Sequence, residues 1–144
     1  MAAAQYTQLG DRRRSLLDTT GGIPHPPGFD YLDLPFDVPV GTRGLELSLR
    51  FDKRVDEFQL YAALFDPSGA FRGHVQCPGG PGPRDSRIRI GATSATPGSL
   101  PGEIRPGRWT ARVDLDRCTR SGTYDLTVWA WDGEEPVPAD RITD

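Results

Sequence analysis

Few residues of this chain could hold a metal ion, and they are far apart in the sequence. There are two histidines, His25 and His74, and two cysteines, Cys77 and Cys118. The H-x-x-C spacing of His74 and Cys77 can bring two zinc ligands together, and Cys118 could add a third, but a structural zinc site needs four ligands. We therefore expect no zinc site and interpret these as unrelated loop residues.

Acidic residues offer a second kind of metal site. Asp114 and Asp116 lie close together in sequence, as do Asp132, Glu134 and Glu135, and carboxylates are the hard oxygen ligands that calcium prefers. Neither group follows a known calcium-loop spacing. We predict that both are solvated acidic turns and that the chain holds no metal.

Motifs for covalent catalysis and phosphate binding are absent from the sequence. There is no G-x-S-x-G, and the glycine-rich stretch at residues 79–82 lacks the Lys-Ser/Thr ending of a phosphate loop. The sequence therefore predicts no catalytic residue and no cofactor site. We expect that the chain by itself is not an enzyme.

The two cysteines leave one alternative open. Cys77 and Cys118 both fall in predicted connections and would form a disulfide if the fold brought those connections together. Two cysteines without a secretory signal more often stay reduced. We favour two free thiols over a disulfide.

Composition excludes several partners. The 144 residues have a net charge of −3, and Lys53 is the only lysine among the seventeen basic residues. This balance gives no electrostatic surface for nucleic acid. No apolar run approaches the length of a membrane helix, and no secretory signal follows the basic residues 12–14. We predict a cytoplasmic protein that binds neither nucleic acid nor membrane.

The elements that must position any site are strands. Gly and Pro make up 31 residues and hydrophobic residues only 36%, which favours short strands joined by turns. Apolar residues alternate with polar ones in four stretches, residues 29–38, 45–51, 109–115 and 124–131, and residues 58–65 form a further strand-like stretch. We predict an all-β fold, an antiparallel β-sandwich of the jelly-roll or immunoglobulin-like kind with seven or eight strands.

The alternation also predicts the place of individual strands. Pro35 and Pro39 lack an N–H for a ladder, so the strand at residues 29–38 should lie at an edge. The strand at 45–51 should bury one face only, and the strand at 58–65, apolar on both faces, should be central and covered on both sides.

Domain boundaries follow the proline and glycine content. We predict a mobile amino-terminal arm at residues 1–27, a β-sandwich domain at residues 28–132 and a carboxy-terminal linker or tail at residues 133–144. The arm contains Gly21, Gly22 and three prolines, which should prevent regular structure.

Residues 95–110 form the most distinctive stretch of the chain. Three Pro-Gly pairs, at residues 97–98, 101–102 and 106–107, each favour a tight turn because proline presets φ and glycine accepts positive φ. Leu100 and Ile104 are the sizeable apolar residues between the turns. We predict that both side chains anchor this loop to a sheet.

This stretch also resembles a known family. Residues 96–110, T-P-G-S-L-P-G-E-I-R-P-G-R-W-T, resemble a signature of the amino-terminal domain of CehA/McbA-type metallohydrolases. Further matches are F-D-V-P-V-G-T-R-G-L-E-L-S-L-R-F-D at residues 36–52, L-F-D-P-S-G at residues 64–69 and F-R-G at residues 71–73. One departure is Ser99, where that family usually has an aromatic residue.

The resemblance implies a role without catalysis. In that family this domain precedes a metal-dependent hydrolase domain of the PHP type, whose metal-binding residues this chain lacks. It would then be an accessory domain that docks on a PHP-type domain in cis or in trans, or that forms a homo-oligomer. Docking candidates are Leu100, Ile104, Arg72, Trp129 and Trp131.

Trp129 and Trp131 also support an alternative function. They share a strand face with Asp125 and Thr127, opposite the expected core face. Two exposed tryptophans on one strand could stack sugar rings, which would make the chain a free-standing carbohydrate-binding module, or they could cover a partner domain. They could also be buried as the second covered face of a central strand.

Overall fold

The computed structural model describes residues 13–75 and 80–132, except for the side chains of Asp116 and Arg117. Within these residues it contains strands and no helix, which confirms the predicted all-β class. The strands are β1 (Arg14–Ile23), β2 (Tyr31–Val38), β3 (Gly44–Lys53), β4 (Phe58–Phe65), β5 (Phe71–Val75), β6 (Gly82–Gly91), β7 (Gly107–Cys118) and β8 (Gly122–Trp131).

The strands form two antiparallel sheets of four strands each. The order in the first sheet is β1-β8-β3-β6 and in the second sheet β2-β7-β4-β5. This is the strand order of an eight-stranded jelly roll, one of the two architectures that the sequence left open.

The core lies between the sheets because each strand turns alternate side chains inward. Leu45, Leu47 and Leu49 of β3 are fully buried there, and Trp109, Ala111 and Val113 of β7 face them from the second sheet. The inward residues of β8 are Tyr124, Leu126, Val128 and Ala130, as the alternation predicted. These residues form one continuous apolar cluster.

Two strands of the second sheet, β2 and β4, lie where the sequence predicted them within the sheet. β2 lies at an edge, which confirms the argument from Pro35. β4 is an interior strand, as predicted. Its outer face is only partly covered, however, because Ala63 is buried whereas Tyr61 and Phe65 are half-buried.

β3 differs from its predicted one-sided burial. Its inward leucines are buried as expected, but Glu46 and Ser48 on the outer face are also completely buried. The reason is that neighbouring long side chains of the first sheet lie over them, as described below.

The amino-terminal segment differs most from the sequence prediction. Residues 14–23 of the predicted mobile arm form β1, an edge strand that pairs with β8 from Arg14–Ala130 to Ile23–Gly122. Glycine at position 21 has a packing role, since a Cβ there would lie 2.6 Å from the Tyr124 hydroxyl. Gly21, one of the residues that indicated an arm, thus leaves room for an aromatic ring. The predicted linker at residues 133–144 lies outside the described residues.

The assignment of β1 to the sandwich predicts a specific loss of stability. Ile23 is 1% exposed and belongs to the core cluster. We expect Ile23→Ala to lower the free energy of unfolding by about 2 to 5 kcal/mol, because it leaves a cavity between the sheets. Urea unfolding measures this change.

Val40→Ala is the matched control, because Val40 is 87% exposed and should change the stability little. An Ile23→Ala variant as stable as the Val40→Ala variant would show that β1 does not pack on the core in solution.

Candidate functional site

Several connections meet at one end of the sandwich, which we call the loop end. They are the turn at residues 39–43, the turn at residues 66–70 and the loop at residues 92–106. The strand register brings them together, since it pairs Val38 with Gly107, Phe65 with Phe71 and Gly44 with both Gly91 and Trp131. Asp132, which directly follows the last residue of β8, lies at the same end.

Backbone hydrogen bonds attach the loop at residues 92–106 to both sheets. The N–H of Thr96 donates to the carbonyl oxygen of Arg89 (2.9 Å) in β6. The N–H of Leu100 donates to the carbonyl oxygen of Arg72 (2.9 Å) in β5. The N–H of Gly102 donates to the carbonyl of Gly91 (3.0 Å). The glycines of the three Pro-Gly pairs have φ of 86°, 149° and 123°, as turn formation there requires. The loop is therefore a fixed part of the fold.

Arg72 is the side chain that holds this loop in place. Its guanidinium donates to the carbonyl oxygens of Glu103 (2.9 Å), Gly102 (3.2 Å) and Leu100 (3.4 Å). Its central carbon lies 5.3 Å from the centre of the Trp109 ring. Arg72 is 8% exposed, and this burial lowers the pKa of the guanidinium, with the charge of Asp66 opposing the change. A planar group with several donors is suited to bind convergent carbonyls.

The residue after Arg72 is a glycine for a steric reason. Gly73 pairs with Ser99 of the loop, and a Cβ on Gly73 would lie 2.7 Å from the Ser99 hydroxyl and 2.9 Å from Ile88. The small Ser99, which departs from the resembled family, occupies this close contact. The F-R-G stretch and the Pro-Gly loop therefore contact each other directly.

The two predicted anchors of the loop behave differently. Ile104 is 5% exposed and belongs to the core cluster, as expected. Leu100 is 52% exposed and does not act as an anchor, because its backbone N–H bonds to β5 while its side chain stays outside the core. Arg72 performs the anchoring that the sequence assigned to Leu100.

The loop end therefore displays apolar side chains on a rigid support. Besides Leu100, Val40 in the neighbouring turn is 87% exposed. A small recess of about 140 Å³ opens beside Val40 and is bordered by Thr42, Trp131 and Asp132. Leu100 and Val40 are thus exposed apolar residues at the same end of the sandwich.

Trp129 and Trp131 lie elsewhere, on the outer face of the first sheet as predicted. Trp131 is 3% exposed, and its ring lies so close to Gly44 that a Cβ there would come within 2.0 Å of it. Trp129 is half-buried beneath Arg13, whose guanidinium carbon lies 4.6 Å from the ring centre. The two rings do not form an exposed pair.

An ion-pair network on the same face explains this burial. The carboxylate of Glu46 accepts from Arg13 (2.8 Å) and Arg87 (3.3 Å), and also from Arg89, whose Nε is 3.0 Å away. Arg89 in turn lies 5.7 Å from the centre of the Trp131 ring. The part of this outer face that contains the tryptophans is thus covered by side chains of the chain itself.

Sequence reasoning missed this network. Glu46, Arg87 and Arg89 alternate with apolar residues, which is the pattern of a solvated face. The charge pattern could have revealed the network. Arg87 and Arg89 lie two positions apart, and therefore on one face, of a strand that could pair with the strand containing Glu46. Such pairs stabilise adjacent strands, but the register was not predictable.

The candidate metal ligands that the structure describes do not form a metal site. His74 is in β5 and Asp114 in β7, while Cys118 is half-buried at the end of β7. Within residues 13–75 and 80–132, no three His, Cys, Asp or Glu side chains are placed to hold a metal ion. Cys77, Glu134 and Glu135 lie outside these ranges, so the disulfide between Cys77 and Cys118 stays an open alternative. No helix in the described part of the chain could span a membrane.

Comparison with known proteins finds similarity in structure only. No protein-family model and no curated protein matches the chain. The lipase of Bacillus licheniformis in its propeptide form is 12% identical with a TM-score of 0.53, and the match covers 85% of this chain and 23% of the lipase chain. The CspB protease of Clostridium perfringens is 16% identical with a TM-score of 0.51, covering 84% and 26% of the two chains.

A third similar structure is the pre-peptidase C-terminal domain of a collagenase from Bacillus anthracis. It is 15% identical with a TM-score of 0.48, and the match covers 78% of this chain and 88% of that domain. The present chain spans about a quarter of the lipase and protease chains. At these identities the similarity shows the β-sandwich fold and nothing about activity.

The clamp formed by Arg72 can be tested by substitution. We expect Arg72→Met to lower the free energy of unfolding by about 2 to 3 kcal/mol, because the carbonyls of Leu100, Gly102 and Glu103 lose a charged donor. The freed loop should also be cleaved faster after Glu103 by a glutamyl endopeptidase. Urea unfolding and the cleavage rate measure the two effects.

Arg108→Met is the control for Arg72→Met. The Arg108 side chain is 71% exposed and its contact with Asp37 at 3.4 Å is a surface ion pair, so little should change. Equal cleavage rates in the two variants would show that Arg72 does not hold the loop.

The network around Glu46 leads to a second prediction. Glu46→Gln should lower the free energy of unfolding by about 3 to 5 kcal/mol, because Arg13, Arg87 and Arg89 lose the carboxylate that balances them. The emission of Trp131 should also shift to longer wavelength as the cover loosens. Thermal or urea unfolding followed by fluorescence gives both values.

The exposed residue Glu57 provides the control, as Glu57→Gln makes the same chemical change outside the network. If Glu46→Gln were no more destabilising than Glu57→Gln, the carboxylate would not organise this face.

Proposed function

We propose that this chain is a non-catalytic accessory β-sandwich domain that docks through its loop end on the catalytic domain of a CehA/McbA-like, metal-dependent hydrolase. The observation that carries the proposal is the exposed side chain of Leu100, presented on a loop that Arg72 fixes in place. A rigid apolar contact loses little conformational entropy when it binds a partner.

The motifs behind the family resemblance support this role. The F-R-G residues and the Pro-Gly loop are far apart in sequence, but Arg72 and Gly73 contact the loop directly. The residues that resemble the family therefore form one structural unit, and Leu100 is its exposed apolar side chain. Arg72 and Ile104, proposed as docking residues from the sequence, support the surface from below instead of forming it.

The course of the chain is consistent with a partner in cis. β8 ends at the loop end, where Trp131 pairs with Gly44 and Asp132 borders the recess beside Val40. A PHP-type domain joined through residues 133–144 would begin at the same end of the sandwich as Leu100. The same surface is available to a separate PHP-type chain, and the proposal includes the cytoplasmic location expected from the sequence.

The chemistry in such an assembly belongs to the partner. A PHP-type domain contributes the metal ions and the hydrolysis, and this chain contributes a shaped surface beside it. The alternative of a sugar-binding module built on Trp129 and Trp131 has less support, because Trp131 is 3% exposed and Arg13 covers Trp129.

Docking is tested by titrating this chain with the PHP-type hydrolase domain encoded with it or nearest to it, using isothermal titration calorimetry. We expect a complex whose affinity falls at least about tenfold in Leu100→Glu, because the charge would be desolvated at the contact. Val55→Glu should bind normally, since Val55 is an exposed apolar residue in the turn between β3 and β4, at the opposite end.

Two results would contradict the proposal. One is the absence of a complex, or equal binding by both variants. The other is hydrolysis of carbamate or ester substrates by this chain alone when divalent metal is supplied. A chain that forms a dimer broken by Leu100→Glu, without binding the hydrolase, would place a second copy at the loop end instead.

A further inference from the structure

The outer face of the second sheet carries aromatic and charged side chains that the proposed docking does not use. The strand register places Tyr31, Asp114 and Tyr61 side by side on β2, β7 and β4. The next row contains Arg112 and His74, and Phe65 follows on β4. We refer to Tyr31, Tyr61, Phe65, His74, Arg112 and Asp114 as the aromatic face.

The rings of this face are partly accessible from outside. Tyr31 is 48% exposed, and Tyr61, Phe65 and His74 are half-buried. Tyr31 and Tyr61 lie two strands apart, which separates them by about 10 Å across the sheet. Tyr61 and His74 extend the surface, with ring centres 6.3 Å apart and planes inclined by 36°.

Arg112 is held rigidly at the centre of the face. Its guanidinium donates to both carboxylate oxygens of Asp33, at 2.8 and 3.1 Å. Its central carbon lies 4.0 Å from the centre of the Tyr31 ring and 5.0 Å from that of Phe65. The positive charge is thus balanced by Asp33, and the stacking fixes the position of the ring of Tyr31.

Asp114 adds a carboxylate between the two tyrosines. Burial raises the pKa of Asp114, while the charges of Arg112 and His74 oppose this effect. The carboxylate is therefore partly dehydrated and located between aromatic rings. Such a group is suited to accept hydrogen bonds from a ligand that lies across the rings.

We propose that the aromatic face binds a neutral oligosaccharide. A sugar ring has an apolar C–H face that would stack on Tyr61 and on the side of the Tyr31 ring that Arg112 does not cover, and hydroxyl groups that would bond to Asp114, Arg112 and His74. An apolar protein surface fits less well, because it would desolvate the ion pair of Arg112 and Asp33 without replacing its water. An anionic ligand is disfavoured, because Asp33 balances Arg112 and Asp114 adds negative charge.

This inference does not depend on the proposed function, because it uses different residues. The test is isothermal titration calorimetry of the whole chain with cellohexaose, xylohexaose, maltohexaose and chitohexaose at millimolar concentration. We expect at least one of them to bind. Its affinity should fall about tenfold or more in Tyr31→Ala and in Tyr61→Ala, because each removes a stacking ring.

Two controls separate this site from other surfaces. Leu100→Glu changes the loop end and Trp129→Phe changes the outer face of the first sheet, and both should bind the sugar with unchanged affinity. Circular dichroism and urea unfolding check that the tyrosine variants are folded.

The outcomes are distinct. Lack of binding to all four sugars, or binding that Tyr31→Ala and Tyr61→Ala leave unchanged, would overturn the proposal. So would a self-association of the chain that Tyr61→Ala abolishes while no sugar binds, since the face would then be a protein interface. Binding lost in Trp129→Phe alone would place the sugar on the first sheet and also overturn it.

Discussion

The burial of alternate side chains between two sheets is the constraint on which the rest of this structure depends. Because the side-chain period of a strand is two, each strand that gives one face to the core presents its other face outward. Leu45 and Leu47 of β3 occupy the core, and Glu46 between them must lie outside it. The jelly-roll order then determines which outward residues become neighbours. The fold thereby creates two outer faces and a loop end.

These three surfaces differ in how far the chain itself covers them. On the first sheet, Glu46 binds three arginines, of which Arg13 and Arg89 lie over Trp129 and Trp131, so the side chains of this sheet cover both tryptophans. On the second sheet, Arg112 is fixed by one carboxylate and leaves Tyr31 accessible. At the loop end, Arg72 makes the loop rigid while Leu100 stays exposed. Arginine thus has a structural role on each of these three surfaces, and the last two leave aromatic or apolar side chains exposed.

Much of the fold was predictable because it depends on local patterns, and most of the site was not because it depends on register. Alternation predicted β3 and β8, and the three Pro-Gly pairs predicted the turns of the long loop. β1 was missed because Gly21 indicates a break in sequence but admits the Tyr124 ring in the sheet. The burial of Glu46 and the clamp by Arg72 arise from residues distant in sequence, whose contacts no period or composition specifies.

The central claim is that the loop end, and not the outer face of the first sheet, is the docking surface for a hydrolase domain. Hydrogen exchange followed by mass spectrometry, with and without the purified PHP-type domain, tests it directly. Slower exchange is predicted for residues 96–104 and for β5, with unchanged exchange in β1 and β8. Protection confined to β1 and β8, or no protection anywhere in the chain, would contradict the claim.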